Sequence, residues 1–383
     1  MTSPIAQPRL HVPRGEEFLL LSPTWQAYAY RNVHRMFSTR AIKRGERVFP
    51  FRRGLEIAPE YETGGKRRGL EHYIERANVA GLLVLQGDTI RLERYALGLE
   101  ENVRWSSMSM IKSLTATLVG AALKDGAIAN LDDTVSKYLP VLRGSAYDNV
   151  SIRHLMTMSS GVAWNEDYTD RHSHVNRYSK SLGDKVSGGV LALMRSVVGQ
   201  HAPGSHFNYN TGDTYVLGAL LSAATGQALA DYMSRKVWAP FGMEFDAFYT
   251  LESEGGQEIG GSRAGMTLRD FGRFGVFLLQ GGQIDDTPVL PAGWLDEAAS
   301  RAFTLDPATN SYGANGYGYS WWIDPDGAMV AVGFAGQTLY INRRAGIVIV
   351  TLSCHPQPPF AASYGIDVKA ERAAFKDAVL ASI

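Results

Sequence analysis

Residues 107–123 read SMSMIKSLTATLVGAAL, and this stretch carries the clearest local pattern in the chain. Its apolar residues recur with the three-and-four spacing of one helix face, at Ile111, Leu114, Leu118 and Ala122. Ser109 stands where this helix begins, and Lys112 follows three residues later, so the two side chains lie on one face and can meet. The pattern predicts a helix that presents a serine and a lysine at its start.

This pair has the chemistry of an activated nucleophile. The N-terminus of a helix favours the negative charge that develops when the Ser109 hydroxyl attacks a carbonyl group. A lysine removed from water is more often neutral, and it can then accept the serine proton. A serine and a lysine at this spacing also arise by chance in a chain of 383 residues, as a helix cap beside a surface lysine. The hypothesis therefore depends on partners elsewhere in the sequence.

Strand patterns stand on both sides of a long helical region. Ala80 to Leu99 contains two apolar runs separated by Gly87-Asp88, which predicts a β-hairpin. Helical spacing, punctuated by glycine and proline, continues from Met108 to about residue 280. Three further strands and a last helix follow, at Ala328–Phe334, Thr338–Asn342, Gly346–Ser353 and about Val368–Ala381. We expect an α/β domain formed by residues 1–104 and 286–383, with a mostly helical domain at 105–285 and the active site at their junction.

Two further segments offer what a Ser-x-x-Lys site needs. Tyr209 lies in the polar turn FNYNTGD at residues 207–213, just before an apolar helix, and its phenol could relay a proton. A second oxyanion donor could come from residues 331–337, AVGFAGQ, where glycines permit a strand to approach the nucleophile closely.

With these residues, the chain resembles the serine β-lactamase-like superfamily, and within it the branch of 6-aminohexanoate-dimer hydrolase and related esterases. The resemblance covers roughly residues 80–353 and rests on ordered landmarks: SMSMIKSLTATLVGAAL, SIRHLMTMSSGVAWNEDY, FNYNTGDTYVLGALLSAATG, WAPFGM, MTLRDFGRFGVFLLQGG, YGYSWW and VGFAGQ. It implies an α/β plus all-α fold of the β-lactamase/transpeptidase type, in which helices flank an antiparallel sheet.

The resemblance also implies roles for individual residues. Ser109 would be the nucleophile, with Lys112 and Tyr209 as the proton-handling pair. The backbone amides of Ser109 and Phe334 would form the oxyanion hole. The implied substrate-binding residues are Tyr168, Trp321, Trp322, Gly333 and Thr211. Plain core packing is the alternative interpretation for Tyr168 and the two tryptophans.

Two departures from the superfamily pattern bear on the substrate. Penicillin-binding proteins and β-lactamases carry Lys-Thr-Gly where this chain has Ala331-Val332-Gly333, so the cation that holds a substrate carboxylate is missing there. The asparagine two places after the motif tyrosine is replaced by Thr211. We therefore expect a serine hydrolase of carboxylic esters or small linear amides that works through an acyl-enzyme. A β-lactamase or D-alanyl-D-alanine carboxypeptidase activity stays open as an alternative.

Composition sets the remaining expectations. The chain has 38 Lys and Arg residues and 38 Asp and Glu residues. Its formal net charge is therefore zero, and it has no overall positive charge to attract polyanions. Residues 31–70 are locally basic, however, which leaves open a catalytically silent binding module that holds a polyanion; a solvated arm or covering layer is the simpler interpretation. The lone Cys354 excludes an intrachain disulfide. His172 and His174 lack a third metal ligand of recognisable spacing, so a zinc site is not predicted. Glu166 is not predicted to be a deacylating glutamate, because its surroundings do not match that motif.

We accordingly expect no metal and no organic cofactor. The expected partner is a small ester or amide substrate, with neither nucleic acid nor membrane, and a homodimer is left open. The first thirty residues contain no apolar stretch of signal-peptide length, so we expect a cytoplasmic protein.

Overall fold

A nine-stranded sheet takes its strands from two distant parts of the chain, residues 52–95 and 303–353. The computed structural model describes residues 17–357 and 367–383; the predicted α/β domain also includes 1–16 and 358–366, which lie outside the described residues. The strands are β1 Thr39–Ile42, β2 Arg52–Arg53, β3 Tyr61–Thr63, β4 Lys66–Arg68, β5 Val79–Gln86, β6 Thr89–Tyr95, β7 Trp105–Ser106, β8 Ala247–Thr250, β9 Gly265–Met266, β10 Gln283–Ile284, β11 Thr287–Pro288, β12 Phe303–Thr304, β13 Gly316–Tyr317, β14 Trp322–Ile323, β15 Met329–Gly333, β16 Gln337–Asn342 and β17 Ile347–Ser353.

The order of strands in this sheet is β12-β13-β14-β15-β16-β17-β5-β6-β2. Neighbouring strands pair antiparallel, except that β2 runs parallel to β6. The β5–β6 hairpin turns at Gly87-Asp88, as the sequence predicts, and Gly87 has the positive φ of 58° that such a turn requires. The antiparallel sheet that the resemblance implies is therefore confirmed.

The α-helices are α1 Pro23–Arg31, α2 Val33–Met36, α3 Leu70–Arg76, α4 Ile111–Lys124, α5 Val135–Tyr138, α6 Ile152–Met156, α7 His174–Gly183, α8 Gly189–Ser196, α9 Thr211–Thr225, α10 Leu229–Met233, α11 Ala239–Phe241, α12 Leu268–Leu279, α13 Trp294–Ala298 and α14 Val368–Ala381. The last of these has the predicted bounds. Short 3₁₀ turns complete the set at Glu17–Leu20, Met108–Met110, Pro140–Leu142, Pro307–Thr309 and Phe334–Gly336, and a π-helical turn lies at Ser234–Trp238.

Helices cover both faces of the large sheet, because its central strands are apolar on both sides. Leu83 of β5 belongs to the same core as Phe271 of α12, whereas its neighbour Leu82 packs in a second core with Phe375 of α14. Adjacent strand residues point to opposite faces, so an uninterrupted apolar run such as β5 feeds two cores at once.

The segment between β7 and α12 is mostly helical, and its helices α4 and α9 contact each other. The segment also contains β8 and β9, two strands of a second, four-stranded sheet with the order β1-β8-β9-β7. These positions agree with a helical insertion between the two halves of the large sheet. The division into two domains stays a prediction.

From residue 17 onward, the N-terminal region covers the core rather than extending as a solvated arm. Phe18, Tyr30 and Val33 are each 1% exposed or less and belong to the core that contains α4. Many basic side chains of residues 31–70 form ion pairs, among them Arg40–Glu258, Lys43–Asp246, Arg47–Asp285, Arg52–Asp88 and Arg53–Glu93. Paired charges favour the covering-layer interpretation of this region.

Within residues 17–357 and 367–383, no helix combines the length and apolar character needed to cross a bilayer.

Candidate active site

The candidate nucleophile lies on a short 3₁₀ turn rather than in the first turn of the α-helix. Ser109 is the middle residue of Met108–Met110, and α4 begins at Ile111 directly afterwards. Met108 has a φ of +47°, a left-handed conformation that is uncommon for a residue with a side chain and that clusters at functional sites. Most of α4 is buried, so this turn is held on a rigid element. Ser109 itself is partly exposed and lines a cavity of about 660 Å³.

Lys112 is buried beside Ser109, and its Nζ forms three hydrogen bonds. Its Nζ donates to Ser109 Oγ at 3.0 Å and to Thr211 Oγ1 at 3.1 Å. A third bond goes to the carbonyl oxygen of Gly261 at 2.6 Å. Burial lowers the pKa of the Lys112 ammonium to about 8; the guanidinium of Arg263 acts in the same direction, and a nearby carboxylate opposes it. The lysine can therefore lose its proton near neutral pH.

Tyr209 completes this group from the turn that precedes α9. Its ring stacks on Trp322 with centroids 5.6 Å apart, and Lys112 Nζ lies 5.3 Å from the ring centre. Burial raises the pKa of the Tyr209 phenol well above its ordinary value, and a side-chain hydrogen bond with Ser109 offsets part of that rise. The phenol therefore keeps its proton at neutral pH and is suited to donating it.

The strand β15 passes unusually close to the nucleophile turn. A Cβ added at Gly333 would lie 2.6 Å from the carbonyl oxygen of Ser107 and 3.0 Å from Met108 Cβ, so only glycine fits without a shift of the backbone. Phe334, the next residue, lines the same cavity as Ser109. The structure thus brings together the two residues whose amides the resemblance implies as an oxyanion hole, and that role stays a prediction.

Aromatic side chains form much of the cavity wall. Tyr168, Phe207 and Trp322 line it, and the ring of Tyr168 meets Phe334 edge-on at 4.8 Å between centroids. Trp321 does not: it is 1% exposed and packs in the core with α4, so its assignment to the pocket wall is wrong. The reason is the alternation of neighbouring residues, since the cavity face is occupied by Trp322.

Of the two other predicted substrate-binding residues, Gly333 lines this cavity, whereas Thr211 lines a smaller neighbouring cavity that Ser109 also lines. Thr211 Oγ1 accepts a hydrogen bond from Lys112, so this side chain contacts the candidate base. His174, one of the two histidines for which the sequence offers no third metal ligand, stacks on Trp164 at 5.4 Å and accepts the backbone N–H of Asn165.

Glu166, which the sequence analysis set aside, lines the cavity. One carboxylate oxygen accepts from the hydroxyl of Tyr168 at 2.8 Å and from that of Thr211; the other accepts from the backbone N–H of Thr211 at 3.1 Å and from the indole of Trp164. The sequence feature that could have indicated Glu166 as a site residue is its position two residues before Tyr168, which the resemblance already implies in the site.

Two cations also line the cavity, although the Lys-Thr-Gly position carries none. Lys369 and Arg372 come from the first turns of α14. Lys369 donates to the carbonyl oxygens of Pro307, Ala308 and Asn310, and Arg372 to those of Ser311 and Tyr312. They tie the 307–312 loop to α14, and nothing local in the sequence connects them with Ser109.

Similarity to known proteins agrees with this architecture. Residues 67–374 match the family described as Beta-lactamase. The 6-aminohexanoate-dimer hydrolase of Paenarthrobacter ureafaciens is 30% identical over 302 residues, which is 76% of each chain. Among solved structures, a Bacillus anthracis protein provisionally named 6-aminohexanoate-dimer hydrolase superposes with a TM-score of 0.82 at 21% identity, covering 98% of both chains. A D-stereospecific amidohydrolase from a Streptomyces species has a TM-score of 0.54 at 18% identity and covers 77% of this chain and 98% of its own.

Proposed function

The chain belongs to the Beta-lactamase family and is a serine hydrolase of that superfamily, and from this premise we propose that it hydrolyses carboxylic esters, and short linear amides second, through an acyl-enzyme at Ser109. The observation that carries the proposal is the contact between Ser109 Oγ and Lys112 Nζ, 3.0 Å apart, with the lysine buried and its pKa lowered to about 8. A neutral amine at hydrogen-bonding distance is what a serine needs to become a nucleophile.

Acylation follows from the positions of three groups. Ser109 Oγ forms a bond to the substrate carbonyl carbon while its proton passes to neutral Lys112. The amides of Ser109 and Phe334 hold the resulting oxyanion in this proposal. When the tetrahedral intermediate collapses, the bond to the leaving group breaks and the Tyr209 phenol supplies a proton to the departing oxygen or nitrogen. The ammonium of Lys112, near the Tyr209 ring, then restores that phenol.

Deacylation repeats these steps with water in place of Ser109 as the nucleophile and with Ser109 in place of the alcohol or amine as the leaving group. Water adds to the acyl carbon as the amine of Lys112 takes a proton, the bond to Ser109 Oγ breaks, and the serine recovers its proton. One carboxylic acid leaves and the enzyme returns to its starting state, so that no oxidant or further reactant is consumed.

Esters rank first because the cavity wall is largely aromatic and residue 331 is alanine where β-lactamases carry their carboxylate-binding lysine. The two cations present, Lys369 and Arg372, already donate to backbone carbonyls. Small amides rank second because a relative over most of the chain is named for hydrolysis of a 6-aminohexanoate dimer. Comparable turnover of nitrocefin and a simple ester, per active site, would overturn this ranking.

The test is the rapid-mixing time course of p-nitrophenol release from p-nitrophenyl butyrate. Ser109→Ala should abolish enzymatic release, because loss of the nucleophile in a serine hydrolase costs about 10⁶ in turnover. Ser113→Ala is the matched control: this serine lies in α4 but bonds to the carbonyl of Ser320, away from the cavity, so activity should persist. Equal rates in wild type and Ser109→Ala would refute the proposal for esters.

A further inference from the structure

A chain of hydrogen bonds connects the nucleophile to a carboxylate that the mechanism above does not use. Lys112 Nζ contacts Ser109 Oγ at 3.0 Å and Thr211 Oγ1 at 3.1 Å, and Thr211 in turn donates to Glu166. Glu166 is 45 residues away from Thr211 in sequence, so the fold alone creates this connection.

The chemistry of each group fixes the direction of these bonds. A carboxylate only accepts hydrogen bonds, so Thr211 must donate its single hydroxyl proton to Glu166. Its oxygen then faces Lys112 as an acceptor. The carbonyl of Gly261, 2.6 Å from Lys112 Nζ, is likewise only an acceptor. A neutral amine has two N–H bonds, and these two acceptors use both.

The consequence concerns the lone pair of Lys112. With its two N–H bonds directed to Thr211 and Gly261, the lone pair is left for the third neighbour, Ser109. That is the orientation in which the amine can take the serine proton. We propose that Glu166 is a positioning residue for this reaction: through Thr211 it orients the amine of Lys112 so that its lone pair faces Ser109. This inference rests on the proposed function.

Glu166 is itself held firmly enough to act in this way. The backbone N–H of Thr211, at the start of α9, donates to one of its oxygens at 3.1 Å, and the Tyr168 hydroxyl donates to the other at 2.8 Å. The indole of Trp164 also donates to Glu166, at the oxygen that accepts from the Thr211 backbone. Each of these partners is a donor, as a carboxylate requires, so together they hold Glu166 where it can accept the Thr211 hydroxyl proton.

An amide at residue 166 would remove this constraint. Its NH₂ group can donate to Thr211 Oγ1, which frees the Thr211 hydroxyl to donate to the lone pair of Lys112 and to compete with Ser109 for it. The charge is lost as well. The groups that act on the pKa of Lys112 are its burial and Arg263, which lower it, and Glu166, which raises it, with the Tyr209 ring 5.3 Å away. Removal of the Glu166 charge therefore lowers the pKa of Lys112 further.

The experiment compares pH profiles of kcat/KM for p-nitrophenyl butyrate in wild type and Glu166→Gln. We expect the plateau of kcat/KM to fall at least tenfold, which is part of the roughly 10²–10⁴-fold that a general base contributes, while the rising limb of the profile moves to lower pH. These two changes together identify orientation. A charge effect alone would raise the rate at neutral pH, and a loss of folded enzyme would lower the plateau without moving the limb; either result would overturn the proposal.

Glu252→Gln is the matched control. Glu252 is also buried and also accepts a tyrosine hydroxyl, from Tyr215 at 2.8 Å, and a backbone N–H, from Gly188 at 3.0 Å, but it has no bond to Lys112 or Thr211. The Glu252→Gln variant should therefore show the rising limb of its pH profile at the same pH as wild type. An equal shift of the limb in this variant would refute a specific role for Glu166.

A second pair of variants keeps the proposal testable if Glu166→Gln folds poorly. Thr211→Ser retains the hydroxyl and should therefore lose less of the plateau than Thr211→Val, which removes the hydroxyl and should lose at least tenfold. Equal activity of the two would refute the relay. Ser109→Ala separates this inference from the proposed function: if that variant remains active the function fails, and if it is inactive while Glu166→Gln matches wild type, only the inference fails.

Discussion

The protonation state of Lys112 should control the rate near neutral pH. With the pKa at about 8, about one lysine in eleven is neutral at pH 7. At the ordinary value of 10.5 the neutral fraction would be about one in three thousand, so burial increases the active fraction roughly 300-fold. We therefore expect kcat/KM to rise about tenfold per pH unit below pH 7 and to level off above pH 9.

The assay measures initial rates of p-nitrophenyl butyrate hydrolysis at substrate concentrations well below KM, from pH 6 to pH 10. The products are separated and quantified by chromatography, because the absorbance of p-nitrophenol itself changes with pH. Rates with Ser109→Ala give the spontaneous hydrolysis to be subtracted. Lys112→Ala should be inactive, whereas Lys124→Ala, which changes an exposed lysine at the other end of α4, should follow the wild-type profile. A flat profile, or a midpoint near 10.5, would refute the reasoning.

Three further variants test other parts of the account. Tyr209→Phe keeps the ring that stacks on Trp322 but removes the proton donor, so kcat should fall about 10²–10⁴-fold with little change in melting temperature; retention of full kcat would exclude the phenol as the acid. Gly333→Ala should lower the free energy of unfolding in urea by about 1–3 kcal/mol and reduce acylation, because its Cβ would meet Ser107 at 2.6 Å; unchanged values would disprove the close approach. Burial raises the pKa of Asp213 to about 7, so the unfolded chain releases this proton first as pH rises and the free energy of unfolding falls by up to about 1.4 kcal/mol per pH unit between pH 4 and pH 7. Asp213→Asn should flatten that dependence in urea unfolding at pH 5 and pH 8, and an unchanged slope would contradict this origin.

Local patterns predicted the elements whose apolar spacing is long enough to read. The hairpin of β5 and β6, the strand β17 and the helix α14 all follow from runs of seven residues or more. Strands of two residues, such as β7 and β9, are too short to repeat the alternation of buried and exposed positions, so no sequence period identifies them.

The central pair of the candidate site could also be predicted from the sequence, because Ser109 and Lys112 are only three residues apart. Tyr209 came from its polar turn and from the resemblance. Glu166 and Lys369 could not be predicted to lie in the same cavity, since their positions depend on how distant elements pack. Trp321 and Trp322 show the same limit at close range: the pattern WW does not say which of the two faces the cavity, and only the strand register decides.

The central claim is that Ser109 is an activated nucleophile, and its most direct test is covalent labelling with a p-nitrophenyl alkylphosphonate. Attack by the serine oxygen on phosphorus expels p-nitrophenolate and leaves a phosphonylated enzyme that hydrolyses slowly. We expect one equivalent of p-nitrophenol per enzyme, complete loss of esterase activity, and an adduct that peptide mapping by mass spectrometry assigns to Ser109, with no adduct in Ser109→Ala. An adduct on another residue, or an active esterase that is never labelled, would contradict the account.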